Sequence, residues 1–421
     1  MAGALLAAGA WAASPQDDPT QAPAPGPIPP PASPPTGLRK WFDPATAPFI
    51  PVPLIGVDPD SGTTLGVIPT WVHTDENNEI NRIIAPDVLY NPYFGFGVHG
   101  RIYGYSSRDE QWSVVAGVKE RVEREFDAEY QRGRLREDRW SLNASAVFDR
   151  SGVPRFYGIG NETLASAETN YTNQQDRAQI QVGLNLSHAW QLLYTGRFQV
   201  VDVLPGTLDK IASIETRFPG ALGTNKQILN RLSVIYDTRD DLTVPSRGVQ
   251  LIAYGGLAGR DGLLNDSMYS EAGADGRGFW SVGHDTILAA HAALRYLPTA
   301  HDVPFWALSG LGGGESLVGG EQPLRGWGVG RFYDRNSFSS SVELRRKVMT
   351  FDASTTIDVE LTPFIDVGRV FARTSTLPLD QLHRVYGVGF RGIARPFVVG
   401  YVDIGYGSEG VAAFTGLNYP F

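Results

Sequence analysis

The sequence predicts an all-β protein, a transmembrane β-barrel of sixteen antiparallel strands. Three observations carry this. From Ile55 onward apolar and polar residues alternate. Ala178, Ile180, Val182, Leu184 and Leu186, for example, interleave with Gln179, Gln181, Gly183, Asn185 and Ser187. Successive side chains on a strand point to opposite faces. The alternating runs reach roughly ten to fifteen residues, against ~5–6 for an ordinary strand. Aromatic residues gather at run ends (Tyr90, Tyr93 and Phe94; Trp190; Tyr401 and Tyr406), as at a membrane interface. A soluble sandwich alternates in the same way, so the period alone does not decide. The run lengths, the girdle and a polar face of Gln, Asn, Ser and Gly favour a hydrated lumen.

Composition agrees. The chain has 421 residues, 48 of them Gly and none Cys, so disulfides and thiolate chemistry are excluded. The net charge of -9 argues against nucleic-acid binding. No run of ~18 apolar residues exists, so no helix is expected to span a bilayer. A barrel spans instead with alternating strands that hydropathy misses.

Residues 1–13 contain the apolar stretch Gly3–Ala13, with Ala10-Trp11-Ala12 as a small-x-small cleavage pattern; they are expected to be a truncated signal peptide. Residues 14–54 hold ten prolines between Pro15 and Pro35. Proline lacks the amide donor and fixes φ, so this stretch is expected to be an extended periplasmic tail. Residues 55–421 form the barrel. Seventeen alternating runs can be marked from 62–74 to 411–421. Bacterial barrels are even-numbered, so one pair within 79–132 is expected to be over-split, leaving sixteen.

Two non-strand stretches stand out. Residues 297–337 carry Gly310, Gly312, Gly313, Gly314, Gly319 and Gly320, then Pro323-Leu324-Arg325-Gly326-Trp327. A loop this long in a compact domain is usually functional. Residues 150–175 hold Phe156-Tyr157-Gly158-Ile159-Gly160-Asn161.

These residues resemble the BamA/TamA superfamily of outer-membrane protein-assembly barrels, the bacterial surface antigen family. Leu324-Arg325-Gly326-Trp327 is similar to the family's arginine-glycine-aromatic loop motif. Pro363-Phe364-Ile365-Asp366-Val367-Gly368 is similar to its aromatic-x-Asp-x-Gly strand motif. Tyr236-Asp237-Thr238-Arg239-Asp240 with Pro245-Ser246-Arg247-Gly248 resembles its strand-turn-strand signature. Phe156 to Asn161 matches a further segment. The end, Gly416 to Phe421 with Tyr419 third from last, resembles the carboxy-terminal signal of barrel proteins.

The resemblance implies an outer-membrane barrel in a Gram-negative cell, with the long loop folded into the lumen. Arg325 would clamp loop to wall, with Asp366 the family-matched partner and Glu343 a second acceptor, while Gly326 permits a tight turn. Asp237, Arg239 and Asp240 form either a second ion-pair set or an ordinary strand-end turn. The strand Val411–Phe421, with Gly416, Tyr419 and Phe421, would pair with a first strand near Gly62–Thr74, at a seam that opens in this family. Pro420 either weakens that pairing or lies past it.

Periplasmic POTRA modules usually precede such barrels; a member lacking them is expected here, with the Pro-rich tail in their place. The implied function is insertion or translocation of protein or lipid. The implied partners are membrane lipid, lipopolysaccharide, unfolded outer-membrane or secreted proteins, and a separate periplasmic protein. No cofactor is implied. The alternatives are a passive, loop-plugged channel and a surface-binding structural barrel. No enzyme is expected. The seven His make no H-E-x-x-H, and there is no nucleophile elbow and no phosphate loop.

Overall fold

Along the strands, burial is inverted relative to a soluble protein. Asp87, His99, Arg101, Glu271, Asp275, Glu343 and Asp403 are buried, whereas Val88, Val98, Ile102, Leu251, Val342, Leu344 and Ile404 are exposed. Soluble folds almost never bury charged residues. The buried side is therefore a polar lumen and the apolar exposed side faces lipid. The structure is a computed structural model. It describes residues 50–75, 80–107, 109–259, 266–313, 324–352, 356–373, 380–394, 397–416, 419 and 421. The expected signal peptide, the proline-rich tail up to residue 49, Gly314, Gly319, Gly320, Pro323 and Pro420 lie outside the described residues.

The wall is an antiparallel meander. It begins with β1 (Ile50–Asp58), β2 (Gly62–Thr74), β3 (Ile80–Ile84 and Asp87–Asn91), β4 (Gly95–Ser107), β5 (Glu110–Lys119) and β6 (Arg124–Arg132). It continues with β7 (Trp140–Ser151), β8 (Thr169–Asn185), β9 (Trp190–Pro205), β10 (Gly223–Asp237), β11 (Gly248–Ala258) and β12 (Met268–Gly283). It ends with β13 (Thr286–His301), β14 (Asn336–Asp352), β15 (Thr356–Phe371), β16 (His383–Ala394), β17 (Phe397–Gly407) and β18 (Gly410–Gly416). Each strand pairs with the next. Pro86, which has no N–H to donate, divides β3. Both halves still pair with β2 and β4.

The expected count of sixteen is corrected to eighteen wall strands among the described residues. The runs within 79–132 are all separate strands, so none was over-split. One further strand, β1, starts inside the stretch assigned to the tail. Its prolines Pro51 and Pro53 disguise it, yet it pairs with β2 residue by residue, from Ile50 opposite Thr70 to Asp58 opposite Gly62.

Segments 152–168 and 206–222 and the connection from β13 to β14 leave the wall at one end, and tight turns such as His284-Asp285 lie at the other. Long loops mark the outer end of such barrels. The long loop is 302–335 rather than 297–337, because β13 runs to His301 and β14 starts at Asn336. It contains a ribbon in which Ser309–Leu311 pairs with Phe332–Asp334. The ribbon docks on the outer loops through apolar contact. Phe305 lies 4.2 Å from the ring of Phe156, and Tyr171, Ile214, Leu297 and Tyr333 complete the cluster. The Phe156–Asn161 motif thus holds the loop. The N–H of Gly160 donates to the carbonyl of Tyr333 at 2.7 Å, and Asn161 Oδ1 accepts the N–H of Val370 at 3.1 Å.

The last strand also departs from expectation. It ends at Gly416, and Tyr419 and Phe421 lie against lumen-facing side chains. Tyr419 donates its hydroxyl to Glu360 at 2.8 Å, and Arg345 lies over its ring at 3.7 Å. Phe421 stacks on His291 at 5.1 Å and packs on Phe279 and Ala289. The cationic and aromatic wall offers these rings a buried, hydrogen-bonded site that pairing along β1 would forgo.

The lipid assignment has a direct consequence. Val402 is exposed at the middle of β17. Val402→Arg should lower the stability of the refolded barrel by ~2–4 kcal/mol, and Val402→Leu should leave it unchanged. Denaturant titration in liposomes reads both.

Candidate functional site

Strand alternation builds the inner wall beneath the loop. On β14, Ser341, Glu343 and Arg345 share the inward face. The register sets Asp366 of β15 opposite Ser341, and Phe364 opposite Glu343. On the next strands Arg391 and Asp403 also point inward and are buried. The wall therefore presents three carboxylates and two guanidiniums before the loop arrives.

Arg325 supplies the third guanidinium and is fully buried. Its Nε donates to Asp366 Oδ2 at 2.9 Å, and Nη2 donates to Asp366 Oδ1 at 2.7 Å. This is the bidentate geometry a planar guanidinium favours. Its own backbone N–H adds a bond of 3.0 Å to Asp366. Nη1 donates to Glu343 at 2.5 Å and to Asp403 at 2.9 Å, and Nη2 also reaches Ser341 Oγ at 3.0 Å. The guanidinium carbon lies 3.5 Å from the ring centroid of Phe364.

Neighbouring arginines complete the balance. Arg345 donates to Glu343 at 2.8 Å, and Arg391 donates to Asp403 at 2.7 and 3.1 Å. Arg325, Arg345 and Arg391 thus face Glu343, Asp366 and Asp403, with every one of these side chains out of solvent. Desolvating an ion costs several kcal/mol, and excellent geometry must offset it. Here each carboxylate meets more than one donor.

Gly326 follows because the loop backbone lies directly on β17. A Cβ there would stand 2.9 Å from Val385 and 3.1 Å from Gly407. Gly405 on the wall is the counterpart, since a Cβ at that position would collide with the carbonyl of Arg325. The next loop residue, Trp327, is buried edge-on to Phe332 and His383.

The structure thus brings Arg325, Gly326, Asp366 and Glu343 together. Sequence reasoning missed Asp403, Arg391, Arg345, Ser341 and Gly405. The available signal was charge on the polar face of the runs 384–395 and 397–407. The second set divides. Asp237 and Arg239 form a bidentate pair at 3.0 and 2.8 Å, joined by Arg136 at 3.6 Å. Asp240 stays outside that pair. It accepts the N–H groups of Ser246 and Arg247 at 2.8 and 3.0 Å, closing the turn before β11.

Beside the clamp, the two ends of the wall meet. β1 lies next to β18. Val57 N–H donates to Thr415 Oγ1 at 2.8 Å, and the Thr415 hydroxyl reaches the Val57 carbonyl at 3.5 Å. Among the described residues no backbone ladder joins these strands. Residues two apart on a strand direct their N–H groups to the same side. Pro51 and Pro53 share the side of Val57, so β1 lacks two donors along this edge.

The Omp85 superfamily domain profile matches residues 108–393. The chain belongs to the Omp85 superfamily. As an Omp85 member it is an outer-membrane β-barrel. Its fold is similar to that of BamA from Haemophilus ducreyi lacking POTRA domains 1–3. That match has 13% identity, covers 83% of this chain and 75% of that one, and has a TM-score of 0.53. CdiB from Escherichia coli matches with 10% identity over 86% and 61% of the two chains, TM-score 0.46. CdiB from Acinetobacter baumannii matches with 13% identity over 84% and 65%, TM-score 0.48. No curated protein sequence matches significantly.

The clamp makes a measurable demand on this Omp85 barrel. Arg325→Ala leaves Asp366 and Glu343 short of a partner and should destabilise the barrel by ~3–5 kcal/mol. Arg325→Lys keeps the charge without the fork and should still fall clearly below wild type. Heat-modifiable gel mobility and denaturant midpoints check both.

Proposed function

We propose that this barrel assists insertion or translocation of protein at the outer membrane by parting β1 from β18. The observation that carries the reading is the seam. Among the described residues, neighbouring strands elsewhere in the wall are joined by backbone ladders, while the hydrogen bonds between β1 and β18 run through the Thr415 hydroxyl. An unpaired strand edge is a template for an incoming strand. A client strand could add to β18 or to the free part of β1 while main-chain groups exchange partners. Lipid, including lipopolysaccharide of the outer leaflet, would then border the opened seam.

The long loop fits this reading better than a passive pore. Ion pairs fill the lumen around Arg325, and Tyr419 and Phe421 occupy lumen space towards the other end. A water-filled channel has no need of a charge-balanced, desolvated plug.

The test is the folding rate of a small unfolded outer-membrane barrel into liposomes, with and without the purified protein. Clear acceleration is expected. It should vanish when Val57→Cys and Thr415→Cys are oxidised to lock the seam, and return on reduction. No acceleration, together with steady single-channel currents, would favour the channel instead.

A further inference from the structure

We propose that loop residues Val329–Arg331 staple the two borders of the seam together at its outer end, holding the hairpin of β1 and β2 through Asp60 and that of β17 and β18 through Glu409. The proposal rests on the seam reading above and adds what controls it.

Asp60 lies in the turn between β1 and β2 and is buried. Its Oδ2 accepts the N–H of Val329 at 2.9 Å. Gly328 makes the approach possible, because a Cβ there would stand inside the Asp60 carboxylate. Arg155 braces the same turn, donating to the Asp60 carbonyl at 2.7 Å. On the other border, Glu409 sits in the turn between β17 and β18. Arg331 grips it with two bonds, Nε to Oε2 at 3.0 Å and Nη2 to Oε1 at 2.6 Å.

Arg331 is itself fixed. It lies 4.1 Å over the ring of Tyr157 and 4.5 Å over Phe332, and donates to Thr163 Oγ1 at 2.9 Å and to its carbonyl at 2.7 Å. Val329 and Arg331 are two residues apart, which limits their backbone separation to roughly 7 Å. The two hairpins therefore cannot part widely while both grips hold. Among the described residues the seam has no backbone ladder, and at its outer end the two borders are joined instead by contacts that a loop movement can remove.

The geometry also makes the staple proton-sensitive. Asp60 is faced by Asp58 in its own turn, by Arg155, Tyr157 and Glu168 from the segment after β7, and by the Val329 amide from the loop. Burial and then Asp58 push its carboxyl up to about 7, with Glu168 acting the same way and Arg155 and the Val329 amide opposing. A released, solvated Asp titrates near ~3.9. The closed staple therefore binds the extra proton between about pH 4 and pH 7, so closure is favoured at the acid end and weakens as pH rises towards 7.

The chain has no cysteine, so one introduced thiol reports cleanly. Ala412 is buried on β18. In Ala412→Cys barrels in liposomes, maleimide labelling normalised to the unfolded chain tracks how often this border opens. Near pH 5, Glu409→Ala should raise labelling about tenfold, as for loss of a charge-assisted hydrogen bond, and Asp60→Ala about fivefold, as for loss of a neutral one. The double variant should exceed either single by no more than about twofold, because losing one grip already unties the staple. Unchanged labelling, or effects that multiply, would overturn the proposal.

If the alanine variants do not fold, Asp60→Asn carries the test. Wild type should label more slowly near pH 5 than near pH 7.5, and Asp60→Asn should lose that difference; a difference retained in full would also overturn the proposal. Client folding separates the two readings. Faster labelling without faster client folding leaves the staple standing and removes the seam function. Client acceleration in wild type with labelling unaffected by the variants does the reverse.

Discussion

A charge withdrawn from water must meet an opposite charge, and the arrangement around Arg325 is built on that constraint. The inward faces of β14 to β17 bring Glu343, Asp366 and Asp403 together with Arg345 and Arg391. Without the loop this wall has one carboxylate too many. Arg325 restores neutrality, and its bonds reach β14, β15 and β17 at once. The loop is therefore held by charge balance as much as by shape. Removing one partner of such a set is far more damaging than its net contribution suggests, since the survivors stay buried.

The position of the loop then decides what happens at the outer end. With Arg325 anchored and Gly326 pressed on β17, the following residues fall over the seam. The ribbon of the loop packs on Phe156 and Tyr171, so the outer loops and the plug form one apolar and aromatic body. Wall, loop and seam are mechanically joined through a short stretch of chain. The wall supplies rigidity through its ladders, and among the described residues those ladders stop at the seam.

The inverted burial pattern explains why so much of this was legible beforehand. Alternation marks every wall strand from β2 onward, because each must show one face to lipid and the other to a polar lumen. Arg325, Asp366 and Glu343 could be picked out through a resemblance in short motifs. Arg391 and Asp403 could not, because a lone inward charge looks like any lumen residue until its neighbours are known. β1 was missed because Pro51 and Pro53 hide a strand that only its register with β2 reveals. The end of the chain was misplaced because alternation from Val411 to Phe421 suits a strand equally well. The site that receives Tyr419 and Phe421 comes from Arg345, Glu360, Phe279 and His291, on strands distant in sequence.

By itself the sequence determined the all-β class, the membrane setting, the approximate strand positions and the residues of the loop motif. The class, the setting and the strand positions follow from local rules of period two, strand length, and glycine and proline placement; the loop motif follows from a family resemblance in short segments. The tertiary structure alone decided the number of strands among the described residues, the third carboxylate of the clamp, the lumen position of Tyr419 and Phe421 and the meeting of Asp60 and Glu409 on one loop. Each of these is a pairing between residues far apart in the chain. Such pairings depend on register and closure, and no local pattern encodes which inward charge will face which.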